Sequence, residues 1–246
     1  MKLVKNILGA VWALWGLLAF TATLFIIIIP IAITFLIKEP AGARAFGGIT
    51  KLWMNVFLRL IGCPLRIKGK QYFAKGQTYV VVCNHNSLMD VPVTTPFVPG
   101  ANKTIAKKSF TKVPVFGWVY KRGTVLVDRN SDESRKKSFD EMRKTLQQNL
   151  HMVIYPEGTR NRTNEPLKGF HDGAFKLSVS SGKEIIPTVI FNTRKVLPPN
   201  KPFYLWPHRL EMHFLPPVSP IGISSKELKE KVFKIMWDYI GNAKVD

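Results

Sequence analysis

Cysteine and acidic residues are both scarce in this chain of 246 residues. Its two cysteines are Cys63 and Cys83. So few thiols exclude a disulfide-dense secreted scaffold, and they supply no zinc-ligand spacing, so no metal is expected. Both read as small buried hydrophobes, Cys63 before Pro64 at a turn and Cys83 at the end of an apolar run. Asp and Glu total 16 against 36 Lys and Arg, a net charge of +20. That deficit of acid suits polyanionic partners: nucleic acid, an anionic lipid surface or a phosphorylated substrate. Charge of either sign is missing altogether from Asn6 to Ile37. A nucleic-acid binder has no use for an uncharged stretch of this length, so the basic excess is assigned to an anionic membrane and nucleic acid is set aside. Internal repeats, low-complexity tracts and an interdomain linker are absent as well.

What the N-terminus does have is length. Lys2 and Lys5 precede an apolar run that outlasts the short core of a secretory signal, so a retained anchor is expected. The part before Pro30 already exceeds the ~20 apolar residues that cross a bilayer. Pro30, lacking an amide donor, is expected to kink or end the helix there. From Ala41 to Ile61, apolar Phe46, Ile49, Trp53, Phe57 and Leu60 recur at helical spacing beside Arg44, Lys51 and Arg59. This reads either as an interfacial helix with Trp53 at the boundary or as a helix packed on a core. Residues 1–62 are therefore expected to form an N-terminal membrane-embedded helical segment, and 63–246 a catalytic domain.

After Gly62-Cys63-Pro64 the pattern turns to short apolar runs alternating with helices. Leu65 to Gly69 alternates like an edge strand, and Tyr79 to Cys83 is continuously apolar, as in a strand covered on both faces. Thr124–Val127, Met152–Tyr155 and Ile185–Ile190 are similar, and Leu210–Leu215 adds a late strand. Ser131 to Leu150, Ala174 to Ser180 and Ser224 to Ile240 read as helices, with Ser131 and Ser224 or Ser225 as caps. The expected fold class is α/β, a mixed, mostly parallel sheet flanked by helices.

Two polar signatures follow strands, where such sheets collect functional groups. In Asn84-His85-Asn86-Ser87-Leu88-Met89-Asp90, the Asp90 carboxylate can fold back onto one nitrogen of His85 and leave the other free to take a proton. The spacing alone also arises by chance. No poised nucleophile accompanies it, since Ser87 reads as a capping hydroxyl and Cys83 sits in an apolar strand. The second signature is Tyr155-Pro156-Glu157-Gly158-Thr159-Arg160. Its glycine permits a tight turn and its arginine a planar fork for phosphate oxygens, or the whole is a plain turn. Lys107-Lys108 and Asp128-Arg129 lie between the two, Lys108 reading as solvated surface.

In order and approximate spacing these blocks resemble the 1-acyl-sn-glycerol-3-phosphate acyltransferase (PlsC-like) family. Asn84, His85 and Asp90 match Asn-His-x4-Asp. Lys107, and Gly123 through Asp128-Arg129, match the second block. Tyr155 to Arg160 match Phe-Pro-Glu-Gly-Thr-Arg, and Ile185-Ile186-Pro187-Thr188 an apolar fourth block. The resemblance runs from about Tyr79 to Ile190. It implies that His85 and Asp90 are catalytic, His85 deprotonating an acceptor hydroxyl while Asp90 orients it. It also implies that Asn84, Lys107, Arg129, Glu157, Gly158, Thr159 and Arg160 bind substrate, the cations holding its phosphate.

On that resemblance the enzyme moves a fatty acyl group from acyl-CoA or acyl carrier protein to the sn-2 hydroxyl of lysophosphatidic acid, forming phosphatidic acid. It does so with no acyl-enzyme and no cofactor beyond the thioester, at a membrane with the catalytic domain facing the cytoplasm. Where the family often has Phe-Lys-(Lys/Arg)-Gly-Ala, this chain has Phe170-His171-Asp172-Gly173-Ala174. Because that loop is expected to border the phosphate pocket, a different lysolipid acceptor is the alternative. A basic membrane-surface protein without activity is another.

Overall fold

Seven short β-strands dominate the middle of the chain, and the computed structural model describes residues 2–128 and 131–243. The strands are β1 (Leu65–Lys68), β2 (Val80–Cys83), β3 (Asn102–Lys107), β4 (Thr124–Val127), β5 (His151–Ile154), β6 (Ile185–Phe191) and β7 (Leu210–Phe214). They form one sheet in the order β1-β7-β6-β2-β5-β3-β4. Every neighbouring pair is parallel except β6 and β7. Burial explains the two kinds of sequence pattern: β2, at the centre, is buried at all four residues, whereas β1 at the edge alternates.

Helices cover both faces. On one side lie α1 (Lys2–Ile33), α2 (Ala41–Leu60), α3 (Asp90–Thr94) and α4 (Phe116–Gly123). There Val81, Cys83 and Val153 share a core with Trp53, Phe57, Val93 and Val119. On the other side are α5 (Asp132–Gln147), α6 (Gly173–Ser181) and α8 (Ser225–Asn242). These bury Leu146, Leu177 and Val232 against Val80, Val82 and Met152. Ser131 caps α5 by accepting the Ser134 N–H, and Ser224 with Glu227 forms a reciprocal capping box on α8.

The N-terminal helices are a layer of this sandwich. The apolar face of α2 points inward, with Phe46, Trp53 and Phe57 buried, and the Trp53 indole donates to Thr23 Oγ1 of α1 at 2.9 Å. The core-packed reading of this helix is the one found, and Trp53 is not a boundary residue. Two other indoles join the helices: Trp12 Nε1 donates to Ile61 O at 3.0 Å and Trp15 Nε1 to Leu60 O at 2.9 Å. They satisfy carbonyls at the end of α2 that lack helical partners.

Helix α1 runs through Pro30 to Ile33, one turn further than expected, before a single 3₁₀ turn at Thr34–Leu36. The proline removes one intrahelical donor without stopping the last turn. The stretch Leu3–Leu36 is long and apolar enough to cross a membrane. Its outer side keeps a stripe exposed, including Leu3, Ile7, Val11, Leu14, Leu18, Phe25 and Ile29. An exposed apolar surface of that extent marks contact with lipid or another apolar partner.

Glu39, between α1 and α2, ties this layer down. Its Oε1 lies 2.6 Å from Arg122 Nη1 of α4 and 3.0 Å from Lys103 Nζ of β3, and its Oε2 accepts the Ala43 N–H at 2.9 Å. Burial opposes ionisation here, but the hydrogen bonds and charges of Arg122 and Lys103 outweigh it and lower the Glu39 pKa from 4.5 to about 2. A carboxylate whose pKa falls on folding stabilises the fold above its unfolded value and loses that contribution as it protonates. Acidification from pH 4.5 towards 2 is therefore expected to loosen α1–α2 from the sheet, seen as a change in tryptophan emission. Glu39→Gln should remove that component of the pH dependence.

Candidate active site

Parallel pairing brings the two signatures together. Because β2 and β5 are neighbours in register, Val82 opposite Ile154, the loops after them leave the sheet side by side. Their mutual hydrogen bonds are backbone-centred. Glu157 Oε1 accepts the His85 N–H at 2.7 Å, and the Asn161 N–H donates to His85 O at 2.6 Å.

His85 Nδ1 lies 2.8 Å from Asp90 Oδ2. The same oxygen accepts the N–H groups of Asn86 at 2.6 Å and Ser87 at 2.7 Å. An oxygen that already accepts two N–H groups is matched by an Nδ1 that donates, which leaves Nε2 able to accept a proton. Asp90 is wholly buried while the His85 side chain is 19% exposed, so the imidazole is reachable and the carboxylate is not. Tyr155 packs on the imidazole, ring centroids 4.6 Å apart. Burial holds its phenol well above the ordinary value of 10, so that ring stays neutral.

Neither neighbouring nucleophile is available. Cys83 is fully buried, and desolvation followed by the nearby Asp90 charge pushes its thiol up. The Ser87 hydroxyl donates to Leu197 O at 2.7 Å and accepts the Met89 N–H at 3.1 Å.

His85 lines a cavity of about 910 Å³ whose wall has two chemically distinct sets of residues. Between α1, α2 and α4 its walls are apolar: Phe20, Phe46, Trp53, Met54, Phe116 and Val119. The polar part of the wall carries Lys107, Gly158, Thr159, Arg160, Arg162 and Lys168. Gly123 faces Phe46, and a Cβ there would lie 2.8 Å from the ring, so a side chain at 123 would push the Phe46 ring out of its place in the cavity wall. Such a wall can hold an alkyl chain and an anion in the same cavity that His85 faces.

The acyltransferase family model matches residues 64–191, just over half of the chain. This chain belongs to the acyltransferase family. The 1-acyl-sn-glycerol-3-phosphate acyltransferase of Saccharomyces cerevisiae is 30% identical over 163 residues, which is 64% of this chain and 50% of that protein. The alpha form from Mus musculus is 30% identical over 173 residues, 69% of this chain and 60% of that one. The chain thus spans about half of the length of the curated relatives it matches. The crystal structure of the 1-acyl-sn-glycerophosphate (LPA) acyltransferase PlsC from Thermotoga maritima shares the fold. Its TM-score is 0.81 with full coverage of both chains, at 20% identity.

In this acyltransferase the expected site residues divide into two groups. His85, Lys107, Gly158, Thr159 and Arg160 reach the cavity, Gly158 at a φ of +72° that favours glycine. Asn84 and Glu157 lie behind it. The Asn84 amide is spent on β6, donating to Ile190 O at 3.0 Å and accepting the Ile190 N–H at 2.7 Å. A direct substrate contact by Asn84 is therefore replaced by a structural tie between strand ends. Arg129 lies outside the described residues.

Glu157 is 1% exposed and spans two loops, its Oε2 accepting the Lys168 N–H at 2.9 Å. Burial raises its pKa, opposed by those two backbone N–H bonds. Glu157→Gln offers one acceptor oxygen where two N–H groups converge. It is expected to cost about 1–3 kcal/mol of stability and to lower turnover by displacing His85; denaturant melts and kinetics together check both.

Three cations escaped the sequence reading. Arg162 and Lys168 line the cavity, and Lys168 Nζ donates to Thr159 Oγ1 at 2.8 Å. Arg194, in α7 (Thr193–Val196) just after β6, donates to Thr163 O at 2.8 Å and to Asn161 O at 2.7 Å. It also reaches Asn86 Oδ1 at 3.4 Å, bracing both signature loops at once. The available signal was position: a basic residue immediately after a strand paired in parallel with β2.

The departing loop takes a different direction from the one expected. His171 and Asp172 are exposed and absent from the cavity wall, and Asp172 Oδ1 pairs with Lys229 Nζ of α8 at 2.7 Å. Lys168, earlier in the same loop, is the residue that faces the cavity.

Proposed function

We propose that this acyltransferase carries a fatty acyl group from an acyl thioester, acyl-CoA or acyl carrier protein, to the sn-2 hydroxyl of lysophosphatidic acid. His85 Nε2 takes the hydroxyl proton, the alkoxide oxygen attacks the thioester carbonyl, and the collapsing intermediate expels the thiolate, which recovers the proton from the imidazolium. Asp90 fixes the imidazole and stabilises its charged form. Lys107, Arg160, Arg162 and Lys168 hold the acceptor's phosphate, with Arg129 as a further candidate, and the apolar part of the cavity takes an acyl chain.

The observation that carries this reading is that His85 lines one cavity together with an apolar set, Phe20, Phe46, Trp53 and Met54, and a cationic set, Lys107, Arg160, Arg162 and Lys168. The names of the relatives support lysophosphatidic acid as acceptor. The turn of His171-Asp172 towards α8 removes the main motive for a different headgroup.

The exposed apolar stripe of α1 and the net charge of +20 support attachment to an anionic membrane with the domain on its cytoplasmic side. The docking of α1 from Gly9, whose carbonyl accepts the Leu205 N–H, to the buried Ile31 supports a helix that lies along the domain and enters one leaflet.

Purified protein supplied with acyl thioester should release free thiol only when lysophosphatidic acid is present; release without any lysolipid acceptor would sink the proposal. Arg160→Ala is expected to raise the acceptor KM about 10- to 100-fold, the worth of one charge-assisted hydrogen bond, with little change in the donor KM.

A further inference from the structure

We infer that a second apolar groove beside the active site holds the acyl chain that the acceptor lipid already carries, while the larger cavity takes the incoming chain. This rests on the reading of the protein as a lysolipid acyltransferase. The transfer joins two acyl chains on one glycerol, so both chains stand near His85 together. The groove, about 290 Å³, runs between α1 and the segment 197–205, with Ala13, Leu17 and Phe203 in its walls. Phe20, Leu88 and Pro92 line both the groove and the catalytic cavity, and Leu88 is three residues from His85. The groove and the cavity therefore share a wall, which Leu88 brings close along the chain to His85.

The groove wall is fastened at both ends. Ser87, in the signature loop, donates to Leu197 O at 2.7 Å, and the Leu205 N–H donates to Gly9 O of α1 at 3.1 Å. Between them Phe203 stays 57% exposed at a φ of +49°. A bulky side chain held in the left-handed region is strained, and such strain persists where the surroundings impose it. The division of chains follows from access. The groove is the more open of the two and continues onto the exposed stripe of α1 through Leu17, 54% exposed. A lysolipid chain can lie there while still touching the bilayer. The incoming chain leaves a water-soluble carrier and needs the more enclosed cavity to cover it.

The test uses the full-length protein and two probes with a diazirine at the end of the alkyl chain, one a lysophosphatidic acid and one an acyl thioester. Mass spectrometry of photolabelled peptides should place the lysolipid label on residues 13–17 or 197–205 and the thioester label on α2 or α4. Lysolipid labels on α2 or α4 instead would overturn the inference. Kinetics give a second reading with one donor and two acceptors, hexanoyl and oleoyl. Ala13→Phe, which fills the groove, and Phe203→Ala, which removes an exposed wall, should each raise the oleoyl-to-hexanoyl ratio of acceptor KM. For Ala13→Phe the rise should be about tenfold, from the methylenes no longer buried. A shift in donor chain-length preference, or no shift in the acceptor ratio for either variant, counts against it. Groove labelling with no turnover of lysophosphatidic acid would refute the proposed activity and leave the chain site standing.

Discussion

His85→Ala is expected to lower acyl transfer by roughly 10²–10⁴-fold, the usual worth of a positioned general base. Without the ring, no positioned group takes the proton as the alcohol attacks, and it must be lost to water instead. The fold should survive. The backbone bonds of residue 85, its N–H to Glu157 and its carbonyl from Asn161, do not involve the ring. Asp90 keeps its two backbone donors. Circular dichroism and the melting temperature should stay near those of the unmodified protein while thiol release collapses. Retained turnover in a folded His85→Ala protein would remove His85 from the chemistry.

Asp90→Asn should cost about 10²–10³-fold in kcat, by a different route. The converging N–H groups of Asn86 and Ser87 select the amide oxygen for the position now held by Oδ2. The imidazole is then still oriented, but the negative charge that favours its protonated form during transfer is lost. The amide nitrogen falls where Asp90 Oδ1 now sits, a buried atom without a hydrogen-bond partner among the described residues. A further loss of about 1–3 kcal/mol in stability is expected from burying that unsatisfied donor group. The acceptor KM should change little, because Asp90 does not reach the cavity. A large rise in acceptor KM with kcat preserved would mean that Asp90 shapes binding instead.

Local chemistry made much of this protein readable. The continuous apolar run before Cys83 and the alternating one at Leu65 gave a central and an edge strand, because burial on two faces or one is written directly into residue order. Ser131 and Ser224 marked helix starts through the same hydrogen bonds that the folded chain makes. The five-residue step from His85 to Asp90 is short enough for one turn to close, so that pair was legible without the rest of the fold.

Direction was not legible. The spacing of Phe46, Trp53 and Phe57 showed that α2 has an apolar face, but lipid and protein core reward such a face alike. Only the position of α1 and the sheet decided that it turns inward. His171 and Asp172 stood beside the presumed pocket in sequence, yet the start of α6 carries them towards Lys229. Arg194 lies far along the chain from both signatures and acts on each of them.

By itself, then, the sequence determined the N-terminal helix with its charge-free run from Asn6, the strand-and-helix alternation, and the identity and spacing of the histidine, its carboxylate and several cations. The tertiary structure decided that these form one site. Parallel pairing puts the ends of β2, β5 and β3 on the same edge, and chain order does not encode which strands become neighbours. It also decided that the N-terminal helices wall the active-site cavity on one side while facing outward on the other. That follows from two long apolar helices burying what they can against the sheet and leaving the remainder exposed.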